Sequence, residues 1–259
     1  MSNATRNRSF IGGGKIYIQQ IIAGVFGPAY AFGNADSFSF AIGEDKKTQR
    51  NFQTPGGGNI ASQSAITDVT ATINALSFQP QTLATALRSL VTANTGTAIT
   101  DEVQKAFKDA FVKLDSIPDV DETITVKDSA TGLVTYVNNV DYIVERAGLF
   151  IPEGSAITTA DTLNAGVDIK VTYTSVDTFS VQAITQSSLE YRLIFNGFND
   201  ADNGKAVSVV CHKIKFSPTQ ALDLISEDFG ALPISFEILA DDTIVAAGES
   251  QYFSVEMTA

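Results

Sequence analysis

Val167-Asp168-Ile169-Lys170-Val171-Thr172-Tyr173-Thr174 alternates apolar with polar residues through eight positions. Val167, Ile169, Val171 and Tyr173 fall on one face of an extended chain; Asp168, Lys170, Thr172 and Thr174 fall on the other. A period of two is the mark of a half-buried β-strand. Ser37–Ile42 repeats it, with Phe38, Phe40 and Ile42 opposite Ser37, Ser39 and Ala41. Residues 67–76 do so again, with Val69, Ala71, Ile73 and Ala75 opposite Thr70, Thr72 and Asn74. Residues 15–20, 191–195, 207–216, 234–239 and 252–257 also read as strands.

Composition agrees. The 259 residues include 26 Thr, 2 Met and no Trp, and only 18% are charged. β-branched side chains suit a pleated surface better than a helix. A chain of this length buries roughly three quarters of its extended surface and needs no disulfide or metal to fold. A mainly β (α+β) fold is expected, a β-sandwich or barrel with one or two packed helices.

The first expected helix follows Phe78-Gln79-Pro80. Pro80 suits the first helical turn, and Leu83, Ala86, Leu87 and Leu90 follow at helical spacing. A second is expected over residues 101–114, with Thr100 as its cap and Val103, Phe107, Ala110, Phe111 and Leu114 as its buried stripe. Ser217-Pro218 with Gln220 has the form of a capping box, so a helix is expected there too. Strand, Phe-x-Pro, helix thus occurs twice, at Phe78 and Phe216. Between the repeats, residues 118–177 read as an inserted small β module. The core domain would then comprise residues 1–117 and 178–259.

Residues 43–64 are polar, mixed in charge and contain Pro55-Gly56-Gly57-Gly58. They read as a loop about twenty residues long, a length that usually signals function. No Gly-Lys-Ser/Thr follows the glycines, so they do not form a phosphate-binding loop.

Catalytic and metal-binding patterns are missing from the sequence. The one histidine, His212, adjoins the one cysteine, Cys211, and neighbours in a strand face opposite ways. The acidic groups at Asp115–Glu122, at Asp200 and Asp202, and at Asp241 and Asp242 lack calcium-loop spacing. No nucleophile elbow or dinucleotide fingerprint is present. The expectation is a non-enzyme without cofactor or metal. Twenty-nine acidic against 17 basic residues give a net charge of −12, which disfavours gripping nucleic acid or anionic lipid. Residues 1–14 hold Arg6 and Arg8 but no apolar run, so no secretion signal is expected. The longest apolar stretch, residues 21–27, is too short to span a membrane. A single cysteine fits folding inside a cell.

The order of these segments resembles the tail tube (major tail) proteins of tailed bacteriophages. The resemblance is carried by Gly14-Lys15-Ile16-Tyr17-Ile18, Gly33-Asn34-Ala35-Asp36-Ser37-Phe38, the polar stretch with Gly56–Gly58, and the Phe78-Gln79-Pro80 entry to a helix. Its second half is Leu193-Ile194-Phe195-Asn196-Gly197, Lys213–Pro218, Glu227–Leu232 and Phe236–Asp241. Asp141–Val144 and Gly166–Ile169 look like the small β insert of some phage tail proteins. The resemblance implies a structural subunit of the virion tail, made in the host cytoplasm. Hexameric rings would stack into a tube whose strands close one inner barrel. DNA would pass through without specific binding. Partners would be other copies of the chain, tail sheath or tail terminator proteins, and the baseplate, with no membrane. Six chains at −12 would carry about −72 per ring, and an acidic wall repels phosphates.

Residues 43–64 are then the candidate inter-subunit contact. Glu44, Lys46, Lys47 and Arg50 would supply polar pairing, Phe52 an apolar anchor, and Pro55, Gly56, Gly57 and Gly58 the turn. The β module is expected on the outside of the tube. Two alternative readings use the same features: a virion decoration or adhesion β module, and the tube of a phage-related bacteriocin or injection apparatus.

Overall fold

The computed structural model describes residues 9–157 and 166–258, so Arg6 and Arg8 lie outside the described residues. The fold is mainly β, with a single α-helix among the described residues. The chain divides into two compact units: residues 1–91 with 181–259, and the continuous segment 92–180.

In the first unit, β1 (Gly12–Ile22), β2 (Val25–Phe26), β3 (Tyr30–Ala31), β4 (Ala35–Arg50) and β5 (Asn59–Ala75) lead into α1 (Pro80–Ala86). In the second unit and at its borders lie β6 (Val91–Asn94), β7 (Ala98–Ala106), β8 (Ala110–Lys113), β9 (Thr125–Asp128), β10 (Ile143–Glu145), β11 (Gly148–Ile151), β12 (Val167–Thr174) and β13 (Thr178–Val181). The first unit resumes with β14 (Glu190–Asn199), β15 (Lys205–Phe216), β16 (Leu232–Ile238) and β17 (Phe253–Met257).

The main sheet runs β2-β1-β14-β15-β16-β5-β4, with β17 beside β15 and β3 beside β1. Its ends do not pair with each other, so the barrel is not closed. The sheet curls far enough for Phe38 and Phe40 of β4 to meet Phe195 at 5.9 Å and Phe253 at 5.0 Å, ring centre to ring centre. Alternate residues point into the space between. Ile16 and Ile18, Ala71 and Ile73, Leu193 and Cys211, and Ile234 and Phe236 all belong to this core. Pro80 opens α1 as expected, and Thr82, Ala84, Thr85 and Ala86 are its buried residues.

The second unit has a core of its own between two three-stranded sheets, β10-β11-β8 and β7-β12-β9. β12 is residues 167–174, and Ile169, Val171 and Tyr173 are buried while Asp168 and Thr174 are exposed. Tyr173 also ties the unit together. Its hydroxyl donates to Glu102 Oε2 at 2.5 Å and accepts from the Ser116 amide at 3.2 Å. Burial first, then the bond to Glu102, pushes the Tyr173 phenol up to about 12.

Three expectations about helices and boundaries are corrected. Residues 101–114 form β7, a turn and β8, not a helix. Their apolar residues fit a four-residue spacing, but pairing of β7 along β12 satisfies the backbone and overrides it. Of the expected stripe Leu114 is buried, but Val103 and Phe111 are 55% and 47% exposed, and Ala106 and Val112 outside it are buried. The inserted unit therefore begins near residue 92, not 118, because these strands belong to its sheets. Residues 217–231 hold no helix. The Ser217 amide donates to the Ser235 carbonyl and the Thr219 amide to the Ala86 carbonyl, so amides that the expected cap would engage are held by distant parts of the chain. The Phe-x-Pro echo consequently ends at the strand.

Candidate assembly surface

The stretch expected as a long loop is a hairpin. β4 and β5 pair in register from Ala35↔Ala75 to Arg50↔Asn59, leaving only residues 51–58 as the turn. The correction has a simple cause. Beyond Ile42 both faces of the hairpin are wet, so no apolar alternation marks the strands. Backbone hydrogen bonds alone define them.

The turn explains part of the glycine run. The Gly57 amide donates to the Thr54 carbonyl at 3.1 Å across Pro55-Gly56, and Gly56 has φ +77°. Proline followed by a residue with positive φ is the pattern of a type II turn. A Cβ on Gly57 would sit 2.8 Å from the Asn51 carbonyl oxygen; one on Gly58 would meet open space. The Asn51 side chain accepts from the Gln53 amide at 2.9 Å and closes the bend.

At the base of the arm the register shifts between Ile42 and Glu44, where Gly43 faces Thr67 and Asp68. The Thr67 hydroxyl donates to Asp68 Oδ1 at 2.7 Å, and a Cβ on Gly43 would clash with that carboxylate. This β-bulge marks where the arm leaves the core layer. Past it, Glu44, Lys46 and Thr48 pair with Ile66, Ser64 and Ser62, while Asp45, Lys47 and Gln49 pair with Ala65, Gln63 and Ala61. Each face thus carries an acid near the base and a lysine farther out. Among the described residues, Glu44, Lys46, Lys47 and Arg50 take part in no salt bridge.

Phe52, at the start of the turn, is 87% exposed. Ile42, expected from sequence on the same apolar face as Phe38 and Phe40, is instead more than half exposed, and so are Ile60 and Ile66, which the sequence does not single out. Ile60 and Ile66 stand as single apolar residues among polar ones, which hides them from a search for strand periodicity. The other missed feature is backbone. Among the described residues β4 pairs only with β5, so its outer edge is free along sixteen residues. A free edge of that length is a ready template for another chain.

Among the described residues no group of three or more His, Cys, Asp and Glu side chains could hold a metal ion, and no helix is long and apolar enough to cross a membrane. Cys211 is buried in the core, whereas His212 on the opposite face is half-buried. Burial pushes the Cys211 thiol up to about 12. Its thiolate is the reactive form, so native protein should resist a thiol reagent at pH 8 and label fully only in denaturant. Rapid labelling of folded protein, followed by absorbance, would contradict this placement.

The family model for the protein of unknown function UCP028589 matches residues 9–256. The chain belongs to that family. The match reaches into both units and covers the whole arm. A search of curated proteins finds no match to it.

Proposed function

We propose that the protein is the structural subunit of a phage tail tube, assembling into stacked hexameric rings around an acidic bore that conducts DNA. The observation that carries this reading is the β4–β5 arm with the free edge of β4. A hairpin whose outer half buries no side chain adds no core contact to its own unit and leaves both its faces available to another copy. The open barrel fits the same role, since neighbours adding strands to it would remove its edges. The net charge of −12 gives six copies a wall that repels phosphate rather than binding it. Tail sheath or terminator proteins and the baseplate would meet the ends and outside of such a tube, placing the protein in the virion tail.

Sedimentation velocity tests the assembly. Purified protein should sediment as species whose masses are multiples of six chains of 27.5 kDa. Monomer at every concentration, up to the limit of solubility, would overturn the reading.

A further inference from the structure

Two exposed segments of the first unit carry opposite charge. In the outer part of the arm, residues 46–64 hold Lys46, Lys47 and Arg50 and no acid. Between β15 and β16, residues 217–231 hold Asp223, Glu227 and Asp228 and no base. All six charged residues are exposed, and among the described residues none takes part in a salt bridge. In a chain of net charge −12, three cations without an acid mark the arm as the segment best suited to an acidic surface of another copy.

The 217–231 loop is distinguished from other acidic surfaces by its apolar residues. Phe229 is 100% exposed and Ile225 98%, the two barest large apolar side chains among the described residues, and Leu224 beside them is 81% exposed. The arm answers with bare Phe52 and Ile60. Both segments are anchored at their bases. Leu222 packs on the core, Gly230 lies against the Phe78 ring, and the Thr219 hydroxyl donates to the carbonyls of Ala221 and Pro233 at 2.8 and 2.9 Å. An anchored loop loses less freedom on docking than a loose one.

Their places in the fold exclude a contact within one molecule. The loop ends at Leu232, which pairs with Ala75 at one end of β5; the arm's turn departs from Asn59 at the other end. At about 3.3 Å per residue, β5 puts roughly 50 Å between them. We infer that the arm of one copy docks on the Asp223–Phe229 loop of a second copy, Phe52 against Leu224, Ile225 and Phe229, and the three cations against the three acids. Apolar anchors hold such a contact, and the surrounding charges decide which surfaces meet. Because arm and loop are different surfaces at opposite ends of the sheet, the contact is head to tail and leaves one of each free for a further copy. The inference rests on the tube reading, in which this contact joins one ring to the next.

Two triple variants test it in sedimentation velocity. Lys46→Glu/Lys47→Glu/Arg50→Glu makes arm and loop both acidic; Asp223→Lys/Glu227→Lys/Asp228→Lys makes both basic. All six positions are exposed, so both variants should keep the melting curve of the natural protein. Each alone should associate more weakly by on the order of 10-fold or more. Mixed one to one, the arm of each variant meets a loop of opposite sign on the other, so association should return, and added salt should weaken it again. Unchanged association of either variant, or a mixture that associates no better than its parts, would overturn the inference. Multiples of six chains from the natural protein without rescue in the mixture would sink this contact and leave the tube reading standing. Rescue between copies whose masses are never multiples of six would sink the tube reading and leave the contact.

Discussion

Replacing residues 44–65 with a two-residue Asn-Gly turn should abolish higher assembly and leave the monomer folded. The argument is geometric. Every residue of that stretch is exposed except Asn51 and Gly57 in the turn, so no core contact is lost. Shortening a hairpin connection changes closure entropy only slightly, and the stability change should stay within about 1 kcal/mol. Assembly, by contrast, would lose Phe52, the unpaired charges Glu44, Lys46, Lys47 and Arg50, and half of the free β4 edge in one step. Single charge reversals should do far less, because exposed ion pairs contribute only about 0–1 kcal/mol each. Light scattering separates the outcomes: a soluble monomer with an unchanged melting curve is expected, and intact large assemblies would contradict the arm's role.

The second large effect concerns the core that holds the arm's base. Phe236 is 1% exposed, meets Phe216 edge-on at 5.3 Å and Phe38 at 6.3 Å, and joins β16 to β4 and β15. Phe236→Ala removes a ring that Phe216 and Phe38 pack against, and the strands cannot collapse into the space without breaking register. A loss of about 3–5 kcal/mol is expected in urea unfolding of the first unit. The second unit has a separate core, so fluorescence or circular dichroism signals from it should keep their midpoint. A loss below about 1 kcal/mol would mean that the two layers do not share this aromatic cluster.

How far the sequence carries the fold depends on whether side-chain burial alternates. It does in residues 167–174, and β12 appears there residue for residue. It does in residues 37–42 and 67–76, which form the inner halves of β4 and β5. Pro80 is equally legible, because a proline tolerates the first helical turn and little else nearby. Residues 101–114 mislead because Val103, Phe107 and Phe111 keep helical spacing while β12 pairs with Val103 and β11 with Phe111. Residues 217–220 mislead for a related reason: the capping pattern is local, and the bonds that replace it come from Ala86 and Ser235, far along the chain.

The candidate surface was legible in part. Its charged residues and its Pro-Gly turn stand out in the sequence, but its strand character does not, since a hairpin wet on both faces leaves no hydrophobic period. Leu224, Ile225 and Phe229 were hidden more deeply. Nothing in the sequence singles them out, and the structure leaves all three facing solvent.

Electron microscopy of the purified protein tests the central claim most directly. Hollow rings, alone or stacked, with strands of adjacent copies continuous around a bore, are what the account predicts. Discrete particles of one chain, each with its sheet complete and no bore between copies, would contradict it.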